Sequence, residues 1–425
     1  MARINDTRRN NSDNSRYNFA VLLGQGTLVD LSSQLGSAHL VLPFLYSALG
    51  APLAFAGLLV PASRIGKLFA QASAAPFIAT ARVRTWYMAF GSLAMGVSLA
   101  ALALFAAIIN VHVLPAVFLL VASVIGIGQG VGSLAFQDVL GRTLPPHRRG
   151  SLLFTQTALG AAFAIAAAWG TARIFEDAES LSSHMTLIWI SAAALVLATA
   201  CSALIRGVAA KREVKAEASG FISDLRRNVA LTVRFPWFRR FLVARFLFLS
   251  VELAMMFYSI HAASLHSEKA GSLSAFVIAS SLGFVVGGPL WGWLINKSLR
   301  LVFVLGGIAG AGAAILALCI EYLNLQSVPL YALVFVLAAL GYQAVSQCRK
   351  VYLVDMAPED QRPYFLSVSD TLIGSLAIGV GALFGLLAHI QGVTWPVVGI
   401  LAMTVLAVLY VFALPSTETD TCGSS

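Results

Sequence analysis

Charged residues are scarce in this chain, at only 11% of 425 residues, while hydrophobic residues make up 58%. A soluble domain needs about 25% charged residues to keep its surface hydrated. The composition therefore excludes an ordinary soluble protein. The period-two alternation of polar and apolar residues that is typical of membrane β-barrels is also missing. The sequence predicts a polytopic α-helical membrane protein.

Cysteines are few, and their positions exclude a disulfide framework. The four are scattered along the chain, three of them inside apolar segments, without the spacing of a metal site. The sequence also lacks the His-Glu-x-x-His motif of metalloproteases and the Gly-x-Ser-x-Gly motif of hydrolases. We therefore expect no enzymatic activity, no bound metal and no cofactor.

We expect that residues 1–18 are not a removable signal peptide. Residues 1–18 are polar and include four arginines, and no short apolar region ends in a small-residue cleavage site. We expect the first apolar helix to direct membrane insertion.

Twelve apolar segments are present, and each reaches the length of about 20 residues that a helix needs to cross the hydrocarbon core. The predicted spans are residues 19–46, 52–78, 86–109, 115–140, 151–174, 186–205, 241–262, 273–295, 301–320, 329–353, 364–388 and 394–414.

The two halves of the chain repeat with a constant offset of 213 positions. Four pairs near helix ends share this offset: Pro76 and Pro289, Gly128 and Gly341, Pro145 and Pro358, Arg149 and Arg362. A same-sense repeat of six helices is the layout of transporters whose halves move about a central site. We therefore predict two pseudo-symmetric six-helix bundles, residues 19–205 and 241–414.

Positive charge is concentrated on one side of the predicted membrane. Of the 28 Lys and Arg residues, 21 lie in segments on the side of the amino terminus. The positive-inside rule then places both termini in the cytoplasm, with tails at 1–18 and 415–425. We expect an integral protein of the bacterial inner membrane. The formal net charge of +9 follows from this topology and does not indicate a nucleic-acid partner.

The longest polar segment, residues 206–240, is predicted to be a cytoplasmic linker between the halves. Within it an apolar stripe recurs every four residues, at Phe221, Leu225, Val229 and Val233. This pattern favours a helix lying in the membrane interface. The alternative is a linker that touches the underside of the bundle.

The segment 288–300 resembles the signature loop of the major facilitator superfamily, Gly-x-x-x-Asp-Arg/Lys-x-Gly-Arg. Gly292, Lys297 and Arg300 stand at matching places, while Asn296 replaces the acidic residue. Two further segments resemble that family's loops after spans 4 and 10, namely residues 144–150 and 357–363. The first-half counterpart of the signature, around Arg84, is more degraded.

The resemblance implies a transporter in which spans 1, 4, 7 and 10 line the cavity and spans 3, 6, 9 and 12 lie outside. Charged residues are nearly absent from the interiors of those four outer spans, which agrees with this arrangement. The signature acid of the family is implicated in latching the cytoplasmic helix ends, and this chain has Asn296 in its place.

Charged side chains inside the spans are the strongest functional candidates, because a charge at the centre of a membrane helix costs about 2.5–3.5 kcal/mol. Asp30 and Arg64 lie at similar depth in spans 1 and 2, so a buried pair is possible. Either Asp30 carries a coupling proton while Arg64 holds an anionic substrate, or the two form a structural ion pair. Lys67 either snorkels to the interface or joins the site.

Glu252, near the middle of span 7, is the leading proton-carrier candidate. The alternative is a hydrogen-bonded structural carboxyl group. Arg245, seven residues earlier on the same helical face, is a substrate-binding candidate. His39, at the repeat-equivalent position of Glu252, is the third proton-coupling candidate because histidine titrates near neutral pH. A lone histidine in a helix is also often a packing residue.

Arg349 in span 10 and Asp370 in span 11 are predicted to form an ion pair across adjacent helices. The functional alternative is an inner gate or anion site that opens when this pair breaks. Asp138, near the end of span 4, is assigned to the membrane interface. The remaining substrate-binding candidates are uncharged side chains that could hydrogen-bond with or stack on a solute: Gln34, Gln129, Gln343 and Tyr342.

The glycine-rich run 126–132 resembles a phosphate-binding loop at first sight. However, no Lys-Ser/Thr follows it, no strand precedes it, and it lies inside an apolar span. Close helix packing through small residues is the better explanation.

Together these patterns predict a secondary active transporter that moves a small organic solute by alternating access. The intramembrane charges favour proton coupling and an anionic or zwitterionic solute. The expected partners are the solute, protons and membrane lipids, and the protein is expected to be a monomer. The alternative is a uniporter or an efflux protein of the same fold, and a membrane enzyme or sensor is a third class.

Overall fold

A computed structural model describes the chain in eleven stretches. These are residues 2–80, 83–106, 108, 110–144, 146–175, 180–206, 235–269, 271–295, 297–325, 327–357 and 362–415. Every regular element within these stretches is a helix.

The described residues of the first half form seven α-helices and one short 3-10 helix. The α-helices are α1 (Ala2–Leu35), α2 (Val41–Ala48), α3 (Leu59–Thr80), α4 (Thr85–Phe105), α5 (Leu114–Thr143), α6 (Pro146–Ile174) and α7 (Ser180–Ala203). The 3-10 helix, Leu53–Leu58, leads directly into α3.

From residue 235 onward, the part of the chain that the structure describes forms seven more α-helices. They are α8 (Pro236–Leu247), α9 (Leu249–His266), α10 (Ser272–Ile295), α11 (Leu299–Tyr322), α12 (Val328–Met356), α13 (Arg362–Gln391) and α14 (Thr394–Val411). Helices α8 and α9 together form one apolar stretch, interrupted at Phe248.

Eleven stretches of the described helices are long and apolar enough to cross a membrane. They correspond to predicted spans 2 to 12, which confirms an all-α polytopic membrane protein. The predicted first span, 19–46, is wrong as a single helix, because α1 ends at Leu35 and α2 begins at Val41. Pro43 explains the interruption, since its ring clashes with the carbonyl four residues earlier and it has no N–H to donate.

The chain forms two compact units. The first comprises Met1–Ser37 and Ala62–Glu217, and the second comprises Ala38–Pro61 and Ala218–Ser425. Residues 38–61, which the sequence assigns to the first bundle, therefore pack with the second unit. One anchor of this segment is a hydrogen bond that the Ser259 hydroxyl donates to the carbonyl oxygen of Leu40.

Small residues allow helices to cross closely within each unit. In the second unit a Cβ atom added at Gly57 would overlap the carbonyl of Gly381 on α13. In the first unit, a Cβ at Gly126 on α5 would overlap the carbonyl of Ser63 on α3. The helix-packing explanation of the glycine run 126–132 is thus confirmed, because backbones this close leave no room for a side chain.

Two predictions fall where the structure gives no description. The stripe proposed for an interfacial helix, at residues 221–233, lies outside the described residues, and so does Asn296. Helix α8 begins at Pro236, five residues before the predicted start of span 7.

Candidate functional site

Two ion pairs lie in the second unit and join helices that are distant in sequence. Glu252 on α9 accepts a hydrogen bond from Arg349 on α12, and only 3% of the glutamate side chain is exposed. Arg245 on α8 lies 2.5 Å from the carboxylate of Asp370 on α13 and also donates to the hydroxyl of Ser369. These pairs place three charged groups inside apolar surroundings, with only Asp370 substantially exposed.

Both pairs contribute residues to one small cavity of about 10 Å³, which has room for about one water molecule. Its charged lining comes from Arg245, Glu252 and Arg349, and aromatic side chains supply much of the rest: Phe241, Phe248 and Phe303. The seven-residue spacing of Arg245 and Glu252 predicted a common helical face, and both side chains do line this cavity. Such a mixture of aromatic walls and few polar groups is typical of sites for small organic molecules.

The predicted pairing of Arg349 with Asp370 is wrong. Both residues do form ion pairs, but Arg349 binds Glu252 and Asp370 binds Arg245. The reason is that α12 packs against α9 over more of its length than against α13. The position of each charged residue within its predicted span correctly indicated which charges need partners. It gave no information on which helices are neighbours.

In the first unit, Asp30 lies where α1 meets α6. Its carboxylate accepts a hydrogen bond of 3.0 Å from the hydroxyl of Thr157. Gly160, one turn along α6, permits this approach, because a Cβ there would lie 2.6 Å from the Cβ of Asp30. The Asp30–Arg64 pair stays a prediction.

Two buried glutamines extend the polar character of this α1–α6 contact. Gln156 packs directly on Gly26, and the side-chain oxygens of Gln156 and Gln25 have no hydrogen-bond partner among the described residues. Unsatisfied buried acceptors are uncommon and indicate a place for a ligand or a water molecule. Gln156 and Thr157 were not among the predicted site residues. Polar residues close to a glycine in an apolar span could have indicated that they belong to a polar helix contact.

The other first-unit candidates remain predictions. Arg64 and Gln129 are half-buried on α3 and α5, Lys67 is exposed on α3, and Gln34 is half-buried near the end of α1.

His39 and Tyr342 come together in the second unit, and Gln343 is the next residue on α12. The rings of His39 and Tyr342 lie 5.6 Å apart between centroids. The Gln343 side chain packs against Gly287, and its oxygen has no hydrogen-bond partner among the described residues. Two candidates from distant segments, His39 and Tyr342, are thus in contact, which the sequence alone did not indicate, while Gln343 faces α10.

Asp138 on α5 forms an ion pair with Arg84 at 2.5 Å and another with Arg142 at 3.0 Å. The Arg84 side chain is only 5% exposed, whereas those of Asp138 and Arg142 are about one-third exposed. Arg84 belongs to the first-half counterpart of the signature loop, which lacks the acidic residue of the family pattern. Asp138 on the neighbouring helix α5 provides the acidic partner of Arg84 instead.

Replacing Asp138 by Asn should lower the free energy of unfolding by about 2 kcal/mol. This lies between the roughly 3–5 kcal/mol for breaking a buried pair and the 0–1 kcal/mol for an exposed one. The matched control, Arg142→Gln, removes only the exposed pair and should cost under about 0.5 kcal/mol. Thermal unfolding of detergent-solubilised protein measures both, and equal effects would show that the Arg84 contact contributes nothing.

In the second half, two basic residues of the signature segment contact the ends of helices. The ammonium of Lys297 lies 3.7 Å from the ring centroid of Trp293, and Arg300 donates to the carbonyl of Leu414 at 3.0 Å. Gly292 has open space where a Cβ would be.

Sequence comparison supplies the family. The profile of the Major Facilitator Superfamily matches residues 241–422. Uncharacterized protein Rv2209 of Mycobacterium tuberculosis is 30% identical over 409 residues, covering 94% of this chain and 77% of that protein. This chain belongs to the major facilitator superfamily. The resemblance inferred from the signature loop is confirmed, and the chain is a transporter rather than an enzyme.

Solved structures of other superfamily members share the fold. The xylose transporter XylE from E. coli has a TM-score of 0.68 at 14% identity, covering 95% of this chain and 97% of that one. The nucleoside transporter NupG has a TM-score of 0.68 at 13% identity, covering 93% and 99%. A POT family transporter in complex with 5-aminolevulinic acid has a TM-score of 0.65 at 15% identity, covering 93% and 94%. Identities this low establish the superfamily fold alone.

Proposed function

We propose that this transporter moves a small anionic or zwitterionic organic solute by proton-coupled secondary active transport. The observation that carries the proposal is the Glu252–Arg349 pair, which lines an otherwise largely apolar cavity. A proton that binds Glu252 removes the negative charge that Arg349 faces. The arginine can then bind the carboxylate or phosphate of a solute without leaving an uncompensated charge in the protein.

The balance of charge in the cavity supports an anionic group on the solute. Two arginines, Arg245 and Arg349, line it with one carboxylate, Glu252, while Asp370 is nearly half exposed. A guanidinium group is well suited to carboxylate and phosphate because its N–H groups donate in a fixed fork.

Asp30 is the second proton carrier that we propose, in the first unit. Its partner in the described contacts is the neutral hydroxyl of Thr157. Protonation of Asp30 therefore does not break an ion pair among those contacts. In this proposal the protein is a monomer of the bacterial inner membrane with both termini in the cytoplasm.

The aromatic lining supports a second candidate function, the efflux of an amphipathic metabolite or drug. Phe241, Phe248 and Phe303 offer faces on which a flat apolar molecule can stack. A uniporter with the same site would equilibrate its solute without proton movement.

A thermal-shift screen distinguishes these candidates. Purified protein in detergent is mixed with organic acids, amino acids, sugars, nucleosides and drugs, and the melting temperature is recorded. We expect a selective organic anion or zwitterion to stabilise the protein, by about 2.7 kcal/mol at one hundred times its dissociation constant. The Arg349→Met variant should lose that shift. A screen in which only neutral sugars or apolar drugs stabilise the protein would contradict the anionic solute.

A further inference from the structure

A second buried polar cluster lies in the carboxyl-terminal part of α9. The His261 side chain is only 3% exposed, and its Nε2 lies 3.2 Å from the Glu321 carboxylate on α11. Its Nδ1 lies 2.7 Å from the hydroxyl of Tyr331 on α12. Both ring nitrogens therefore face oxygen atoms, although none of these residues was singled out by the sequence.

A neutral His261 ring cannot satisfy all the contacts of His261 and Tyr331 at once. The Tyr331 hydroxyl has one proton, and it donates to the Tyr258 carbonyl at 3.1 Å. The same hydroxyl oxygen must then accept from Nδ1 of His261, which places a proton on that nitrogen. In a neutral ring Nε2 would be an acceptor facing the Glu321 carboxylate, itself an acceptor. A proton on Nε2 as well would turn this 3.2 Å approach into an ion pair.

The Glu321 carboxylate has a second hydrogen-bond donor and lies beside a helix end. The Thr394 hydroxyl donates to the carboxylate at 2.6 Å. Thr394 is the first residue of α14, so the carboxylate also lies at the amino-terminal end of a helix, where a negative charge is favoured. The extra proton therefore belongs on the ring, as an imidazolium.

We infer that His261 and Glu321 form a proton-binding site, an imidazolium–carboxylate pair that is separate from the Glu252–Arg349 pair. The separation of nine positions between Glu252 and His261 corresponds to about 13.5 Å along α9. The inference goes beyond the proposed function and does not depend on Glu252 carrying a proton. Glu321, whose side chain is 35% exposed, gives the site its route to solvent.

Other titratable groups surround the pair. Tyr258 and His266 come from α9 and Tyr331 from α12, while Lys269 interacts electrostatically with His266. Helix α10 contributes the ring of Phe276, which packs on His266 and Tyr331. Among these groups Glu321 supplies the carboxylate, and in the inferred site it is the partner of the imidazolium.

Solid-state NMR of ¹⁵N-histidine-labelled protein in liposomes tests the site, with protons as the probe between pH 5.5 and 9. At pH 7.5 an ordinary histidine is about one-tenth protonated, whereas we expect His261 to be mostly imidazolium. His261→Gln identifies its signal by removing it. If that variant does not fold, Tyr331→Phe identifies the signal by shifting it.

Two carboxylate variants make the test specific. In Glu321→Gln the amide can donate to Nε2, so the ring should become neutral at pH 7.5 with its proton on Nδ1. The matched control, Glu268→Gln, changes an exposed carboxylate in the following loop and should leave the imidazolium unchanged. A wild-type His261 that is neutral at pH 7.5, with its proton on Nε2, would overturn the inference. It would leave the proposed transport at Glu252 untouched.

Thermal unfolding against pH gives an independent readout. Above about pH 6.5 the unfolded chain has released the histidine proton, while the folded protein still holds it. Raising the pH therefore destabilises the fold, by up to about tenfold in the unfolding equilibrium per pH unit, until the pair itself releases the proton. Glu321→Gln should lack this dependence, and an unchanged dependence in that variant would contradict the site.

Discussion

Glu252→Gln is expected to abolish proton-driven accumulation of the solute, lowering gradient-driven uptake at least tenfold. Glutamine keeps an oxygen that can accept from Arg349 but cannot bind or release a proton, so it mimics the permanently protonated carrier. Exchange of labelled for unlabelled solute should persist, because no net proton movement is needed for it. The measurement is uptake of the solute found in the thermal-shift screen by proteoliposomes, with and without a pH gradient.

Asp370→Asn is the matched control for this experiment. It makes the same acid-to-amide change in the neighbouring ion pair, but Asp370 is nearly half exposed and its partner is Arg245. We expect gradient-driven uptake to be reduced less than threefold. If Glu252→Gln accumulates solute as wild type does, Glu252 is a structural carboxyl group, and Asp30, the second proposed proton carrier, is the next acid to test.

Gly126→Ala is expected to cause the largest loss of stability. Its Cβ would overlap the carbonyl of Ser63, and backbone atoms cannot move aside as a flexible side chain can. Overpacking of this kind costs about 3 kcal/mol, which corresponds to a melting temperature lowered by roughly 6–12 °C. Scanning fluorimetry of the purified protein measures this change.

Gly132→Ala, six residues along the same helix, is the matched control. A Cβ at Gly132 has nothing within 4 Å. The variant should be as stable as wild type or more stable, by up to about 1 kcal/mol, because alanine favours a helix more than glycine does. Similar losses in both variants would mean that the glycines matter for helix flexibility rather than for the contact with α3.

The architecture was largely predictable because it depends on properties of single segments. The length and apolarity of each span identify membrane helices without knowledge of their neighbours. The one span that was predicted wrongly, 19–46, contains Pro43, and proline interrupts helices. The prediction gave more weight to the continuous apolarity of the segment than to this residue. The tight crossing at Gly126 was also foreseeable, because small residues repeated along a helix favour close contact.

The residues of the candidate site were largely predictable from the sequence, whereas their pairing was not. Glu252, Arg245, Arg349 and Asp370 were all selected because charges inside a membrane need partners. Which acid meets which base depends on packing, and there the expected Arg349–Asp370 pair proved wrong. The His261–Glu321 pair escaped notice because each residue lies near the end of a span, where polar side chains are ordinary.

The sequence by itself determined that this chain is an all-helical membrane protein with a repeated half, because the length of each hydrophobic segment and the repeat offset can be read along the chain. The resemblance of its signature loop then indicated the major facilitator superfamily. Only the tertiary structure decided that residues 38–61 pack with the second unit, and which residues pair across helices. The physical reason is that ion pairs and hydrogen bonds act over about 3 Å. Distances of that kind are set by how helices pack against one another, and the spacing of residues along the chain does not specify them.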